Sequence, residues 1–189
     1  MRVGIFGGSF NPIQNAHVKM AQKLVDDRVV DEVWIMPCKV HPLSKNVIDE
    51  KYRVGMINLA IANFPKIKIC DIELKKEGTS YTYQTLRDLR EMYSHDFYLV
   101  VGADLFLQME KWHGVDYLKK EAKFIVFQRP GYVLQNPGLV VEKVISDFSE
   151  GVSSTEVRQR IAEGKILSDL VPVEVERYIR ENKLYVDLK

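Results

Sequence analysis

The chain has 189 residues, with 27 lysines and arginines against 26 aspartates and glutamates, giving a formal net charge of +1. This length and a hydrophobic fraction of 46% suit one folded domain and exclude a disordered chain. The near-neutral charge argues against a general nucleic-acid or membrane-surface binder, because such proteins usually carry a basic excess. No stretch reaches the roughly 18 apolar residues of a membrane span, so we expect neither nucleic acid nor membrane as a partner.

The predicted elements follow a regular order over the first two thirds of the chain. Short, almost continuously apolar runs predict strands at Arg2–Phe6, Glu32–Met36, Ile67–Ile72, Phe97–Val101 and Lys123–Phe127. Between them, apolar residues at helical spacing predict helices at Ala16–Asp27, Tyr52–Asn63 and Thr82–Tyr93. This alternation predicts an α/β fold, a Rossmann-like open parallel sheet with helices on both faces.

The last third of the chain has a different character. Residues 131–138 contain Gly, Pro and Asn and predict a loop, and helices are expected at Ser153–Glu163 and Pro172–Asn182. We therefore expect a single domain over residues 1–189, with a small helical C-terminal subdomain from about residue 150.

The two cysteines, Cys38 and Cys70, fit neither a disulfide framework nor a zinc-binding spacing. A reducing compartment is the better interpretation, and the first residues lack the layout of a signal peptide. We therefore expect a cytoplasmic protein.

The segment that follows the first strand is the most informative part of the sequence. Gly7 and Gly8 precede a polar stretch, and a helix begins near Asn15. Glycines allow close approach of a ligand to the backbone, and a helix N-terminus attracts anions, so the pattern predicts a phosphate site. A tight strand-to-helix turn with no ligand is the alternative. His17, at the start of the helix, could reach such a phosphate or could be an ordinary packed histidine.

Two motifs resemble a known superfamily. Residues 4–17, GIFGGSFNPIQNAH, are similar to the first nucleotidyltransferase signature, GxFGGxFDPxHxGH, whose core is (H/T)xGH. Residues 152–158, VSSTEVR, are similar to the second signature, ISSTxxR. The middle of the chain narrows the resemblance to the bacterial nicotinate mononucleotide adenylyltransferases, through SYTYQT at 80–85, GAD at 102–104 and KW at 111–112. The resemblance covers essentially the whole chain.

The resemblance implies a reaction and its substrates. AMP would pass from ATP to nicotinate mononucleotide, giving deamido-NAD and pyrophosphate in NAD biosynthesis. No covalent enzyme intermediate is needed, so the protein would act by positioning and charge stabilisation. Mg²⁺ is implied as a cofactor held mainly by the ATP phosphates, with no protein metal ligand. The sequence leaves the oligomeric state open, a homo-oligomer included.

The resemblance also assigns residues to roles. The implied catalytic residues are His17, Gln14 and Arg158. The implied ATP-binding residues are Gly7, Gly8, Ser9, Phe10, Gly102, Asp104, Ser153, Ser154 and Thr155. The implied residues for nicotinate mononucleotide are Thr82, Tyr83, Trp112 and Lys45.

Several of these residues also have a plain structural interpretation. Asp104 follows a strand end, where it could accept ribose hydroxyls or cap a helix. Trp112 could stack on the pyridine ring or anchor a loop to the core. Thr82 and Tyr83 lie at a predicted helix start, whose free N–H groups would favour the carboxylate of nicotinate over a neutral amide. The serines from Ser153 onward have the form of a capping box.

The chain departs from the first signature at three positions. Gln14 replaces the first histidine or threonine, Ala16 replaces the glycine, and Asn11 replaces the aspartate. An amide can donate a hydrogen bond to a phosphate but carries no charge. Two other functions stay open. Another adenylyl- or cytidylyltransferase of this fold, such as phosphopantetheine adenylyltransferase, would share both signatures, and Gln14 leaves open an ATP-binding homologue with impaired catalysis.

Overall fold

A parallel sheet forms the centre of the molecule. The computed structural model describes residues 1–39, 47–135, 138–151 and 153–186. The strands are β1 (Arg2–Gly8), β2 (Glu32–Pro37), β3 (Ile67–Ile69), β4 (Asp96–Gly102), β5 (Lys123–Phe127) and β6 (Val140–Ile145). Their order across the sheet is β3-β2-β1-β4-β5-β6, and every neighbouring pair is parallel. The chain reverses its direction of travel across the sheet between β1 and β4, where open parallel sheets usually bind ligands.

Helices cover both faces of the sheet. Within the described residues they are α1 (Asn15–Asp26), α2 (Glu50–Ile61), α3 (Thr82–Met92), α4 (Ala103–Phe106), α5 (Val115–Glu121), α6 (Ser154–Ala162) and α7 (Val173–Glu181). Two of them begin at side-chain caps: Asp49 accepts the Lys51 N–H at 2.8 Å, and Ser153 accepts the Glu156 N–H at 3.1 Å. Such caps satisfy N–H groups that the first helical turn leaves without an acceptor.

Side chains alternate between two hydrophobic cores because successive residues of a strand point to opposite faces. In β4, Tyr98 and Val100 join a first core with residues of α1, α2, α6 and α7. Leu99 and Val101 join a second core with residues of α3, α4 and α5. The predicted α/β class, with a parallel sheet covered on both faces, is therefore confirmed.

The predicted elements differ from the observed ones mainly at the edges of the sheet. β3 ends at Ile69, because the chain turns back at Asp71, whose carbonyl accepts the Leu74 N–H at 3.0 Å. Some observed elements were not predicted: β6, an edge strand with mostly exposed residues, and the short helices α4 and α5. Pro172 precedes the first residue of α7, and does not occupy the helix itself as predicted.

The C-terminal helices pack into the first core together with the sheet. Val157 of α6 and both Val175 and Ile179 of α7 are almost fully buried there. Leu184 and Tyr185, beyond α7, belong to the same core. None of the helices in the described ranges combines the length and the apolar character of a membrane span.

Candidate active site

The turn between β1 and α1 (residues 9–14, the β1–α1 turn) has an unusual backbone. It lies at the carboxyl end of β1, beside the carboxyl end of β4. Gly7 is exposed and Gly8 is half-buried, so a ligand can approach the backbone there. Phe10 adopts a positive φ of 45°, and the Asn11–Pro12 peptide bond is cis. A non-glycine residue in this region of φ is uncommon and needs support from its surroundings.

His17 lies against this turn with a defined hydrogen-bonding pattern. Its Nδ1 accepts the Gln14 backbone N–H at 3.1 Å, so in the neutral ring the proton resides on Nε2, which is left as a donor. The ring meets the edges of Phe6 and Phe10, with centroid distances of 5.8 and 5.3 Å. Burial, with a smaller contribution from the positive charge of Arg129, lowers the pKa of His17 to about 4. His17 is therefore neutral at physiological pH in the free protein.

The two signatures meet through direct hydrogen bonds. Gln14 donates from its side-chain Nε2 to Ser154 Oγ at 3.0 Å, and only 2% of Gln14 is exposed. Arg158 donates from Nη1 to the Asn11 carbonyl at 2.8 Å and from Nη2 to Thr155 Oγ1 at 3.2 Å. The N-terminal end of α6 thus lies on the β1–α1 turn, and the Arg158 guanidinium brings a permanent positive charge to it.

The C-terminal part of the chain supports the same turn. Tyr185 donates its hydroxyl to Asn11 Oδ1 at 2.9 Å in a buried hydrogen bond. Burial raises the pKa of the Tyr185 hydroxyl, which therefore stays protonated. The Asn15 N–H, at the start of α1, donates to the Leu170 carbonyl at 2.9 Å. Residues far apart in sequence thus fix the position of the first signature.

The ends of β4 and β5 bring an ion pair to the same edge of the sheet. Asp104 Oδ1 lies 3.4 Å from Arg129 Nε. Asp104 is the second residue of α4, whose N-cap is Gly102, so its predicted alternative role as an N-cap is wrong. A Cβ at Gly102 would lie 2.6 Å from Asp104 Oδ1, so any side chain at position 102 would make this carboxylate move.

The residues expected to hold the pyridine mononucleotide form a second group. Thr82 is the first residue of α3, as predicted. Gly114 lies so close to Tyr83 that a Cβ would come within 2.4 Å of the ring, and the Tyr81 and His113 rings are 4.5 Å apart. The start of α3 and the segment just after Trp112 are therefore neighbours.

Two further observations concern this second group. Trp112 is half-buried and packs against the second core, which agrees with its alternative role as a loop anchor. Thr85 donates its hydroxyl to the buried Glu73 carboxylate at 2.9 Å. Burial raises the pKa of Glu73. This hydrogen bond ties α3 to the segment that follows β3.

The structure brings together most of the residues that the sequence analysis singled out. Lys45 and Val152 lie outside the described residues. The roles of all the others stay predictions. The sequence motifs assigned no role to Arg129, Arg53 or Tyr185. Arg53 is 1% exposed, and a basic residue in a helical apolar stripe was the only sequence signal for it.

Across the described ranges, no group of three or more His, Cys, Asp or Glu side chains could hold a metal ion. Cys38 and Cys70 are free thiols, and burial raises the pKa of Cys38 to about 11. An unreactive, protonated thiol is what this shift implies. The donors that remain at the site are hydrogen-bonding groups and guanidinium groups, which suit a phosphate-bearing ligand.

Comparison with known proteins agrees with this geometry. The sequence profile of the cytidylyltransferase-like family matches residues 5–160. A probable nicotinate-nucleotide adenylyltransferase of Geobacillus thermodenitrificans is 36% identical, over 97% of this chain and 86% of its own length. The nicotinate-nucleotide adenylyltransferase of Bacillus subtilis is 35% identical, over 97% of this chain and 98% of its own length.

Solved structures share the fold. Plasmodium falciparum nicotinic acid mononucleotide adenylyltransferase complexed with NaAD has a TM-score of 0.83 at 23% identity, covering 100% of this chain and 99% of that one. Together with the site geometry, the matching profile makes the chain a nucleotidyltransferase of the cytidylyltransferase-like class. Within that class it belongs to the nicotinate-nucleotide adenylyltransferase family.

Proposed function

We propose that this chain transfers AMP from ATP to nicotinate mononucleotide, giving deamido-NAD and pyrophosphate in NAD biosynthesis. The observation that carries the proposal is the contact between the two signatures, Gln14 with Ser154 and Arg158 with the Asn11 carbonyl, in a chain of this family. These contacts bring hydrogen-bond donors and a guanidinium group to the carboxyl end of β1. A cytoplasmic location, where ATP is abundant, is part of the same proposal.

The chemistry asks the protein for position and charge. A phosphate oxygen of the mononucleotide forms a bond to the α-phosphorus of ATP. The bond from that phosphorus to the bridging oxygen breaks, and pyrophosphate leaves with the electron pair. We assign His17 Nε2–H and the Arg158 guanidinium to the phosphates, where negative charge shifts during transfer. The Gln14 amide orients Ser154 beside them.

The nucleotide and the acceptor would occupy different strand ends. Gly7, Gly8 and Ser9 offer backbone to the ATP phosphates, and Asp104 is suited to accept ribose hydroxyl groups. The N-terminal N–H groups of α3, at Thr82 and Tyr83, favour the carboxylate of nicotinate over an amide. This supports nicotinate mononucleotide as the preferred acceptor.

Mg²⁺ enters this proposal as part of the nucleotide substrate. The ion would be coordinated mainly by ATP phosphates and water. When bound there, the ion would neutralise phosphate charge. Among the residues assigned to the site, only Asp104 is a carboxylate, and it is paired with Arg129.

A pyrophosphate-release assay with ATP and Mg²⁺ tests the function. We expect release with nicotinate mononucleotide, and weaker or no release with nicotinamide mononucleotide or phosphopantetheine. Release with phosphopantetheine alone would reject the acceptor but keep the nucleotidyltransferase class. ATP binding without release in any tube would indicate impaired catalysis. Gln14→His is the matched variant: we expect at most a small gain in rate, whereas a gain of several hundredfold would mean that Gln14 limits the native site.

A further inference from the structure

Arg53 is a buried cation with no anionic partner among the described residues. It lies on α2, and its side chain is 1% exposed. Its Nε donates to the Ile48 carbonyl at 3.1 Å, and its Nη1 donates to the Ser9 carbonyl at 2.9 Å. Buried charges are usually paired with an opposite charge, because taking an ion out of water is costly. Burying a guanidinium that is held only by backbone carbonyls does not favour stability, so we looked for a functional role for Arg53.

The position of these carbonyls suggests the reason. The Ser9 carbonyl belongs to the peptide bond that joins Ser9 to Phe10, at the beginning of the β1–α1 turn. That peptide is trans, so its C=O and its N–H point in opposite directions. Because the carbonyl points towards Arg53 in α2, the Phe10 N–H points away from α2. No described residue accepts a hydrogen bond from this N–H.

The conformation of Phe10 requires such external support. Its φ of 45° lies in the left-handed region, although its ring is almost fully buried between Phe6 and His17. A bulky residue keeps this conformation only when neighbouring groups hold it there. Arg53 supplies that restraint on the N-terminal side of Phe10. The Phe10 N–H has no acceptor among the described residues, so it is available to donate to a ligand at this turn.

We propose that Arg53 is a positioning residue that turns the Ser9–Phe10 peptide so that the Phe10 N–H donates to a phosphate of the bound nucleotide. This rests on the proposed function for the identity of the nucleotide. Arg53 acts through the peptide and does not itself touch the substrate. Its buried charge adds a positive potential beneath the turn, which also favours the polyphosphate.

Equilibrium binding of two ligands tests the proposal without requiring turnover. ATP and adenosine share the base and the ribose, but only ATP carries phosphates. Arg53→Met keeps an unbranched apolar stem and removes the charge and both hydrogen bonds. We expect the ATP dissociation constant to rise about tenfold or more, the effect of losing one charge-assisted contact, with the adenosine constant unchanged. Arg53→Lys keeps the charge but lacks the planar guanidinium that donates to both carbonyls, so it should give a smaller loss of ATP affinity than Arg53→Met.

The matched control is Ile57→Ala, one turn further along α2 and fully buried in the first core. It should lower the melting temperature and leave the ATP dissociation constant unchanged. Should Arg53→Met fail to fold, Arg53→Lys carries the comparison. Unchanged ATP affinity, or equal losses for ATP and adenosine, would overturn the proposal. An absence of AMP transfer by the native protein would reject the proposed function. The role of Arg53 would still be decided by the ATP and adenosine dissociation constants.

Discussion

Acidification should destabilise the protein through His17, whose pKa of about 4 lies far below the ordinary value of 6.5. The ring is surrounded by Phe6 and Phe10, and Arg129 opposes a second positive charge nearby. As the pH falls below 6.5, the unfolded chain takes up a proton on His17, whereas the folded chain does so only near pH 4. The contribution of neutral His17 to the unfolding free energy is therefore fully present above pH 6.5 and is lost as the pH falls from 6.5 to about 4.

The size of the loss follows from the two pKa values. At pH 5, protonation of His17 raises the ratio of unfolded to folded protein by a factor of about 30. This factor corresponds to about 2 kcal/mol of unfolding free energy lost between pH 7.5 and pH 5. His17 keeps part of its surface in contact with solvent, so water screens the effect and this value is an upper bound.

His17→Asn isolates the effect, because the asparagine oxygen can replace Nδ1 as acceptor of the Gln14 N–H and does not titrate. Urea unfolding of both proteins at pH 7.5 and pH 5.0 measures the difference, and the other histidines cancel because both proteins contain them. We expect the native protein to lose up to about 2 kcal/mol more than the variant. An NMR titration of the His17 ring should show a midpoint near 4. Equal losses and a midpoint near 6.5 would refute the reasoning.

Three further substitutions test particular contacts. Gly102→Ala should raise the KM for ATP by roughly tenfold, because a Cβ 2.6 Å from Asp104 Oδ1 displaces that carboxylate; an unchanged KM would remove Asp104 from the nucleotide site. Gly114→Ala, at a φ of +70° and 2.4 Å from the Tyr83 ring, should raise the KM for the mononucleotide and not that for ATP. Tyr185→Phe should lower the unfolding free energy by about 1 kcal/mol in urea, because one buried hydrogen bond to Asn11 Oδ1 is lost while the Ile48 N–H still donates to the same oxygen.

The sheet could be predicted where strands are buried on both faces and not where they form an edge. β5 was predicted with its observed bounds, Lys123–Phe127, because a central strand reads as a continuous apolar run. β6 was missed because Glu142 and Lys143 interrupt its apolar residues, and an edge strand pairs on one side only. β3 was predicted to end at Ile72 but ends at Ile69, because no turn residue such as Gly or Pro in its sequence indicates the turn at Asp71.

Site residues could be predicted where they belong to a sequence motif. Residues and properties that depend on contacts in the folded structure could not. The first signature singled out His17, but not its neutral state, which depends on Phe6, Phe10 and Arg129 coming together. Arg53 belongs to no motif that the sequence analysis considered. Its partners are backbone carbonyls, which have no sequence identity to detect, so only the fold reveals its contact with Ser9.

The departure at Gln14 becomes intelligible when the charges of the site are considered together. His17 is neutral in the free protein and Gln14 carries no charge, so neither supplies a positive charge near the β1–α1 turn before ATP binds. Guanidinium groups supply it instead: Arg158 on the Asn11 carbonyl and Arg53 on the Ser9 carbonyl. Because guanidinium groups stay charged across the physiological pH range, the attraction for a polyphosphate does not depend on protonating an imidazole. An amide at position 14, hydrogen-bonded across to the second signature, is compatible with such a site.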